Sequence, residues 1–246
     1  MSILLVVENL KKYFGGIKAV DNVSFTVKKK ELVSIIGPNG AGKTTLVNLI
    51  SGYLYPTDGK IIYNGIDIKN KTIFSRIRMG IIRSWQIPQL FESFTVREAI
   101  ASSIFSRERK LYNIWRSAEY FKDYFQEADE IASLFNLNKD KSVKELSEGE
   151  RKLLDIALSF SLRPQLLILD EPTSGVSAEE KFAIMNTIIE TMLKEGVTLI
   201  AVEHDLEVVK EFFARTIFMH EGKILRDDST DSILKDKEVK HLLGGE

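Results

Sequence analysis

Residues 31–52 read ELVSIIGPNGAGKTTLVNLISG, and the fold of the chain turns on them. ELVSII is an almost continuous apolar run, as expected of a strand buried on both faces. It passes into a glycine-rich turn and then into TLVNLISG, where the apolar spacing is helical and Gly52 is placed to end the helix. Gly37 to Thr44 fit G-x-x-x-x-G-K-[ST], with strand before and helix after, the setting that makes the pattern a phosphate-binding loop. Gly37, Gly40 and Gly42 allow backbone angles and close approach that a side chain would forbid. Backbone N–H groups from Asn39 through Ala41 to Thr45 then converge on phosphate oxygens, helped by the helix dipole. Lys43 would reach the β- and γ-phosphates, and the Thr44 hydroxyl would ligate Mg²⁺. A turn that merely precedes a lysine is the competing explanation, and the flanking elements argue against it.

Around this stretch the pattern alternates between strand and helix. SFTV (24–27) alternates like a strand, and YPTDGKIIYNG (55–65) supplies turn, strand and turn. From about Val96 to Phe160 the periodicity is helical. It includes the aromatic-dense YNIWRSAEYFKDYF (112–125), which reads as a stripe facing the core. LLILD (166–170) and TLIAVE (198–203) are strands separated by a helical stretch from Ala178 to Lys194. TIFMH-EG-KILRD (216–227) is a short hairpin, followed by a polar helical tail. The order implies an α/β domain with a mostly parallel sheet and an inserted helical subdomain. No internal repeat or low-complexity linker interrupts it.

Bulk composition narrows the function classes. The formal net charge of the 246 residues is −1, so no long-range field favours nucleic acid, and no nucleic-acid partner is expected. Lys28-Lys29-Lys30 reads as a solvated turn between two strands. With no cysteine, disulfides, thiolate zinc sites and cysteine nucleophiles are excluded together, which fits a reducing compartment. MSILLVVENLKKYF lacks the basic start of a signal peptide. Apolar runs such as LLIL (166–169) are far below the roughly 20 residues a membrane helix needs. If a membrane is involved, another chain supplies the span.

Two further stretches carry chemistry. LLILDE ends a buried strand on adjacent carboxylates. Asp170 can hold Mg²⁺ through its water shell, and Glu171 can polarise an attacking water as general base. Two acids after a strand also occur as plain punctuation, but beside a phosphate loop they complete a nucleotide-hydrolysis site. KELSEGERKLLDIA (144–157) has Ser147 three residues before Glu150 at a helix start, the pattern of a capping box.

The order of motifs resembles the ATP-binding subunits of ABC transporters over nearly the whole chain. After the phosphate loop come a lone glutamine in RSWQIPQ, then LSEGE, then LLILDEPTSG, then a strand ending in Glu203-His204-Asp205. The resemblance implies a P-loop NTPase (RecA-like) core, an N-terminal antiparallel β subdomain and an inserted α-helical signature subdomain. One ABC domain would span 1–246, with its nucleotide-binding core at 1–90 and 161–246 and its helical subdomain at 91–160. Ser147 and the N–H of Gly149 would read the γ-phosphate of ATP bound to a second subunit, a task suited to a helix N-terminus. The sequence departs from the family's usual LSGGQ at Glu148 and Glu150.

The resemblance assigns the remaining positions one at a time. Phe14, before Gly15-Gly16, matches the aromatic that stacks on adenine, although a core phenylalanine fits the local sequence equally. Gln86 matches the glutamine that contacts Mg²⁺ and the attacking water and couples the site to the helical subdomain. His204 matches the histidine that contacts the γ-phosphate. The catalytic set is therefore Lys43, Gln86, Glu171 and His204, with Thr44, Gln86 and Asp170 toward Mg²⁺. Ser177 stands where many family members have aspartate.

FGGIKAVDNVSF, NLISGYLYPTDG, RSWQIPQLFESFTVREAI and the ending HLLGG are most similar to the importer ATPases for branched-chain and other hydrophobic amino acids, with urea and amide importers as neighbours. RSWQ replaces that group's usual RTFQ. The implied protein binds ATP and Mg²⁺ and pairs with a second ATP-binding subunit. It would drive transmembrane permease subunits from the cytoplasmic face of the membrane and serve an extracytoplasmic solute-binding protein indirectly. A soluble ABC ATPase acting on a macromolecule and a non-hydrolysing ATP sensor are the rival classes. The first usually carries two cassettes or a long coiled coil; intact Lys43, Asp170, Glu171 and His204 oppose the second.

Overall fold

The structure, a computed structural model, describes residues 2–84, 92–108 and 118–244, and their side chains other than those of residues 118–121. In chain order the first elements are β1 (Ile3–Phe14), β2 (Ile17–Lys28), β3 (Leu32–Ile36), α1 (Lys43–Ser51), β4 (Asp58–Tyr63) and β5 (Ile66–Asp67). Next come α2 (Ile73–Arg78), β6 (Ile81–Arg83), α3 (Val96–Arg107), α4 (Ala118–Leu134), a short 3₁₀ turn and α5 (Glu148–Phe160). β7 (Leu166–Asp170), α6 (Ala178–Glu195), β8 (Thr198–Val202), α7 (Leu206–Phe212), β9 (Arg215–His220), β10 (Lys223–Ser229), α8 (Thr230–Lys235) and α9 (Lys237–Leu242) complete the chain.

Two sheets result. One is antiparallel, in the order β2-β1-β4-β5; the other runs β10-β9-β3-β8-β7-β6 and is parallel except for the β9–β10 hairpin. β7 and β8 are buried at every residue, which accounts for their unbroken apolar sequences. Two of the hairpin turns, β4–β5 and β9–β10, have two successive positive φ values, at Asn64-Gly65 and at Glu221-Gly222, where the backbone twist matches the strands.

The largest departure from the sequence pattern is at the N-terminus. SFTV is only the end of the twelve-residue β2, and its partner β1 carries a strand-like apolar run only at its start, ILLVV (3–7). Leu5 pairs with Val27 and Val7 with Phe25, but the register slips between Val7 and Leu10, where Asn9 has φ 48. That irregularity breaks the alternation by which a strand is recognised.

α1 is held between the sheets: Leu46, Val47, Leu49 and Ile50 are buried with Leu5, Val7, Val33 and Ile35 in one core. A second core joins α3, α4, α5 and α6 to the far face of the parallel sheet through Ile100, Phe135, Leu154 and Ile188. Phe105 meets Tyr124 and Phe125 edge to face, with centroids 5.3 and 6.1 Å apart, so these two members of the aromatic stripe serve the core. Residues 112–117 of that stripe lie outside the described residues. Reciprocal capping boxes start α3 (Thr95, Glu98), α5 (Ser147, Glu150) and α6 (Ser177, Glu180). The serine at 177 thus has a local explanation, since it caps its own helix. No described helix is long and apolar enough to cross a membrane.

Candidate active site

β3, β6, β7 and β8 all point their carboxyl ends to one side, the side where open parallel sheets bind ligands. Residues 39–45, with Glu171, His204 and residues from β2 and the β9–β10 turn, line an open cavity of about 640 Å³. Two glycines are required by geometry. A Cβ on Gly42 (φ 98) would lie 2.2 Å from the Ala19 carbonyl oxygen, and one on Gly37 (φ 151) 2.1 Å from that of Met219. Gly42 also starts α1 with no side-chain cap and no acidic residue in the first turn, so the helix N-terminus is open to an anion.

Lys43 is buried and its ammonium donates to the carbonyls of Gly37 at 2.7 Å and Pro38 at 3.0 Å. Burial lowers its pKa, while Glu171 and Asp170 oppose that shift. The loop therefore folds its own lysine inward, with Thr44 exposed and Thr45 half-buried on the cavity wall.

Glu171 and His204 meet on the same cavity, with Glu171 Oε1 2.9 Å from His204 Nε2. Glu171 is a non-glycine residue at φ 54, a conformation that costs about 1–3 kcal/mol and concentrates at functional sites. Its N–H donates to the Val202 carbonyl at 2.9 Å, which fastens the end of β7 to β8. Asp170 is 2% exposed. Its Oδ2 accepts from Arg83 Nη2 at 2.7 Å, whereas Oδ1 is buried and has no hydrogen-bond partner among the described residues. That orphaned acceptor, with the Thr44 hydroxyl, is the hard-oxygen donor set Mg²⁺ prefers when phosphates supply further ligands. The residues present fit the ion.

Residues 146–150 do not line this cavity. Ser147 Oγ accepts from the Glu150 N–H at 3.2 Å, and a Glu150 carboxylate oxygen accepts from the Ser147 N–H at 2.7 Å. Lys141 reaches both Glu150 oxygens, at 2.9 and 2.7 Å, so the Glu in place of the family's usual glutamine is charge-compensated. Glu148 is exposed. Gly149 is buried against α6, where an added Cβ would lie 3.3 Å from Ile184 Cδ1. Close helix packing is thus one reason for a glycine there. Phe14 is 45% exposed at the end of β1, so the core alternative does not hold; Gly16 and Ile17, just beyond it, line the cavity. Gln86 lies outside the described residues.

Sequence reasoning gave no role to Arg83, Asn48 or Thr173, although Arg83 opens the RSWQ stretch and Thr173 lies in LLILDEPTSG. Arg83 bonds Asn48 Oδ1 on α1 as well as Asp170, and its guanidinium carbon stands 5.5 Å from the centroid of the Tyr53 ring. The available signal was an arginine closing an apolar strand, IIR, where a charge is out of place unless it is paired. Thr173 had no signal, because its partner is 30 residues away in the chain.

A glycine loop opening a helix, with a carboxylate and a histidine across the cavity at the carboxyl ends of parallel strands, defines a P-loop nucleotide-hydrolysing domain. The chain belongs to the ABC transporter family, whose model, described as "ABC transporter", matches residues 20–174. It is an ABC ATPase most similar to the branched-chain amino acid group. The probable branched-chain amino acid transport ATP-binding protein LivG of Methanocaldococcus jannaschii is 33% identical over 99% of this chain and 98% of its own length. A solved ATP-binding cassette of an ABC transporter superposes with a TM-score of 0.87 at 30% identity, over all of both chains. The dimeric structure of a bacterial ABC transporter cassette gives 0.77 at 25% identity, over 92% of this chain and 99% of that one.

Proposed function

We propose that this chain is the ATP-hydrolysing subunit of a membrane importer for branched-chain or other hydrophobic amino acids. The observation that carries the hydrolytic part is the contact of His204 with Glu171 on the cavity wall formed by residues 39–45. The full-length likeness to LivG supports the solute class.

ATP phosphates enter the cradle formed by Gly37, Asn39, Gly40, Ala41, Gly42, Thr44 and Thr45. Lys43 leaves the Gly37 and Pro38 carbonyls for the β- and γ-phosphates, so its ammonium exchanges two neutral acceptors for charged ones. Phe14 stacks on adenine. Thr44, Gln86 and Asp170 would hold Mg²⁺, which would supply charge stabilisation to the phosphates when bound. Glu171 takes a proton from the attacking water. His204 holds Glu171 and the developing charge in place.

The signature residues Ser147 and Gly149 lie off the monomer's own cavity, which supports their serving ATP held by a second subunit in a sandwich. Residues 1–90 and 161–246 act as the nucleotide core and 91–160 as the helical subdomain that meets the permease subunits. The complex works at the cytoplasmic face of the membrane and receives its solute from an extracytoplasmic binding protein.

Light scattering on Glu171→Gln, with and without Mg-ATP, tests the sandwich. A shift from monomer to dimer with nucleotide is expected; a monomer with ATP demonstrably bound overturns it. ATP-dependent leucine uptake into vesicles carrying the membrane subunits tests the solute class, and uptake of urea instead would reassign it.

A further inference from the structure

β8 ends at Val202 and delivers Glu203, His204 and Asp205 to the site. Asp205 caps α7 and pairs with Lys181, and His204 faces Glu171. Glu203 has no part in the chemistry described above, yet it is a carboxylate only 2% exposed. No lysine or arginine bonds to it among the described residues, an unfavourable position for an acid unless hydrogen bonds compensate. Two donors do so. The Thr173 hydroxyl lies 3.0 Å from Oε1 and 3.1 Å from Oε2, and the His204 N–H donates to Oε2 at 3.2 Å. Thr173 is itself 2% exposed and sits two residues beyond Glu171 in the loop leaving β7.

The carboxylate therefore staples the loop that carries Glu171 to the backbone of His204. The Glu171 N–H bond to Val202 fixes one partner of the 2.9 Å contact, and the staple fixes the other. A cavity of about 170 Å³ beside them, lined by Thr173, Glu203, Glu171 and His204 among others, gives both side chains room to move without it.

We infer that Glu203 is a positioning residue for hydrolysis, holding His204 against Glu171 through its bonds to Thr173 and to the His204 N–H. This rests on the assignment of Glu171 as base and His204 as its partner. Among the described residues, the titratable and charged groups beside Glu203 are His204 and Asp205 on its own segment, Lys181 from α6 (already paired with Asp205), and Glu171 across the cavity. Burial pushes Glu203 up to about 7 against the pull of the Thr173 hydroxyl and of the His204 and Thr173 N–H groups. The ionised form accepts the His204 N–H more strongly than the neutral acid, so the staple tightens as pH rises through that region.

The test is steady-state ATP hydrolysis by the full-length protein carrying Glu203→Gln, Thr173→Val or Thr173→Ser, with thermal melting beside it. Glu203→Gln should lower kcat roughly tenfold, the order expected of a sub-ångström misplacement, with KM for ATP within about twofold. Its kcat should lose the rise through pH 7. Its melting temperature at pH 8 should increase, because a buried charge is gone. Thr173→Val, which removes the hydroxyl and keeps the backbone donor, should lower kcat in the same direction by no more than Glu203→Gln does; Thr173→Ser should keep the parent's turnover, and the double change to Gln and Val should lose little more than Glu203→Gln alone. A Glu203→Gln protein with the parent's kcat and pH profile overturns the inference. So does a kcat loss that merely accompanies weaker ATP binding and a lower melting temperature. Glu171→Gln and His204→Ala are run alongside. If they turn over normally, the site reading fails and takes the inference with it. If they are inactive while Glu203→Gln is normal, the inference alone fails.

Discussion

Arg83 and Asp170 form a buried ion pair between the ends of neighbouring strands, Nη2 to Oδ2 at 2.7 Å, with side chains 9% and 1% exposed. Because the same guanidinium bonds Asn48, it ties the end of β7 to α1, the helix that follows the phosphate loop. Arg83→Met strands the Asp170 charge in the interior and should destabilise the fold by about 3–5 kcal/mol. Adding Asp170→Asn should return much of that loss. Urea unfolding midpoints measure both, and an unchanged midpoint for Arg83→Met would show that the pair holds nothing.

Lys43→Ala should weaken ATP binding and abolish phosphate release, because the γ-phosphate loses its only cation from the loop. Binding of a fluorescent ATP analogue and a phosphate assay separate the two effects. Near-normal turnover would refute the cradle.

Ser147→Arg should leave ATP binding to the monomer intact and block nucleotide-dependent dimerisation. It also removes a helix cap, at about 1 kcal/mol. Ser147→Asp keeps the cap and presents a like charge to the γ-phosphate, so it should lose dimerisation while retaining thermal stability. Light scattering on both proteins decides, and undisturbed dimers would mean that Ser147 does not face ATP.

Glu203 gives the protein a predictable pH term. Its folded pKa of about 7 lies above the ordinary value of 4.5, so its contribution to stability is complete below pH 4.5. Between pH 4.5 and 7 the unfolded chain has released a proton that the native state still holds, and stability falls as pH rises. Above pH 7 the loss is complete, about 3 kcal/mol from one pKa unit being worth about 1.4. The difference in unfolding free energy between Glu203→Gln and the parent should therefore grow from pH 4.5 to 7 and level off. A difference that is flat over that range would contradict the buried acid.

Much of the fold was legible because its signals are local. ELVSII, LLILD and TLIAV read as buried strands since both faces are covered, and Gly52, Asn64-Gly65 and Gly222 mark turns through backbone angles that other residues resist. The length of β1 was not legible: beyond its apolar start, ILLVV, Asn9 and the slipped register remove the alternation, and only pairing with β2 and β4 carries the strand on to Phe14.

For the site the division has the same physical basis. The phosphate loop, the Asp170-Glu171 pair and the Ser147–Glu150 box are set by neighbours within a few residues, so the sequence by itself determined them. Arg83 beside Asp170, Thr173 against Glu203, and His204 against Glu171 join residues 87, 30 and 33 positions apart. Only the tertiary structure decided these, because which side chain neutralises a buried charge depends on which strands lie side by side. That order, β6 next to β7 next to β8, is set by packing across the whole sheet and leaves no mark in any short stretch of the chain.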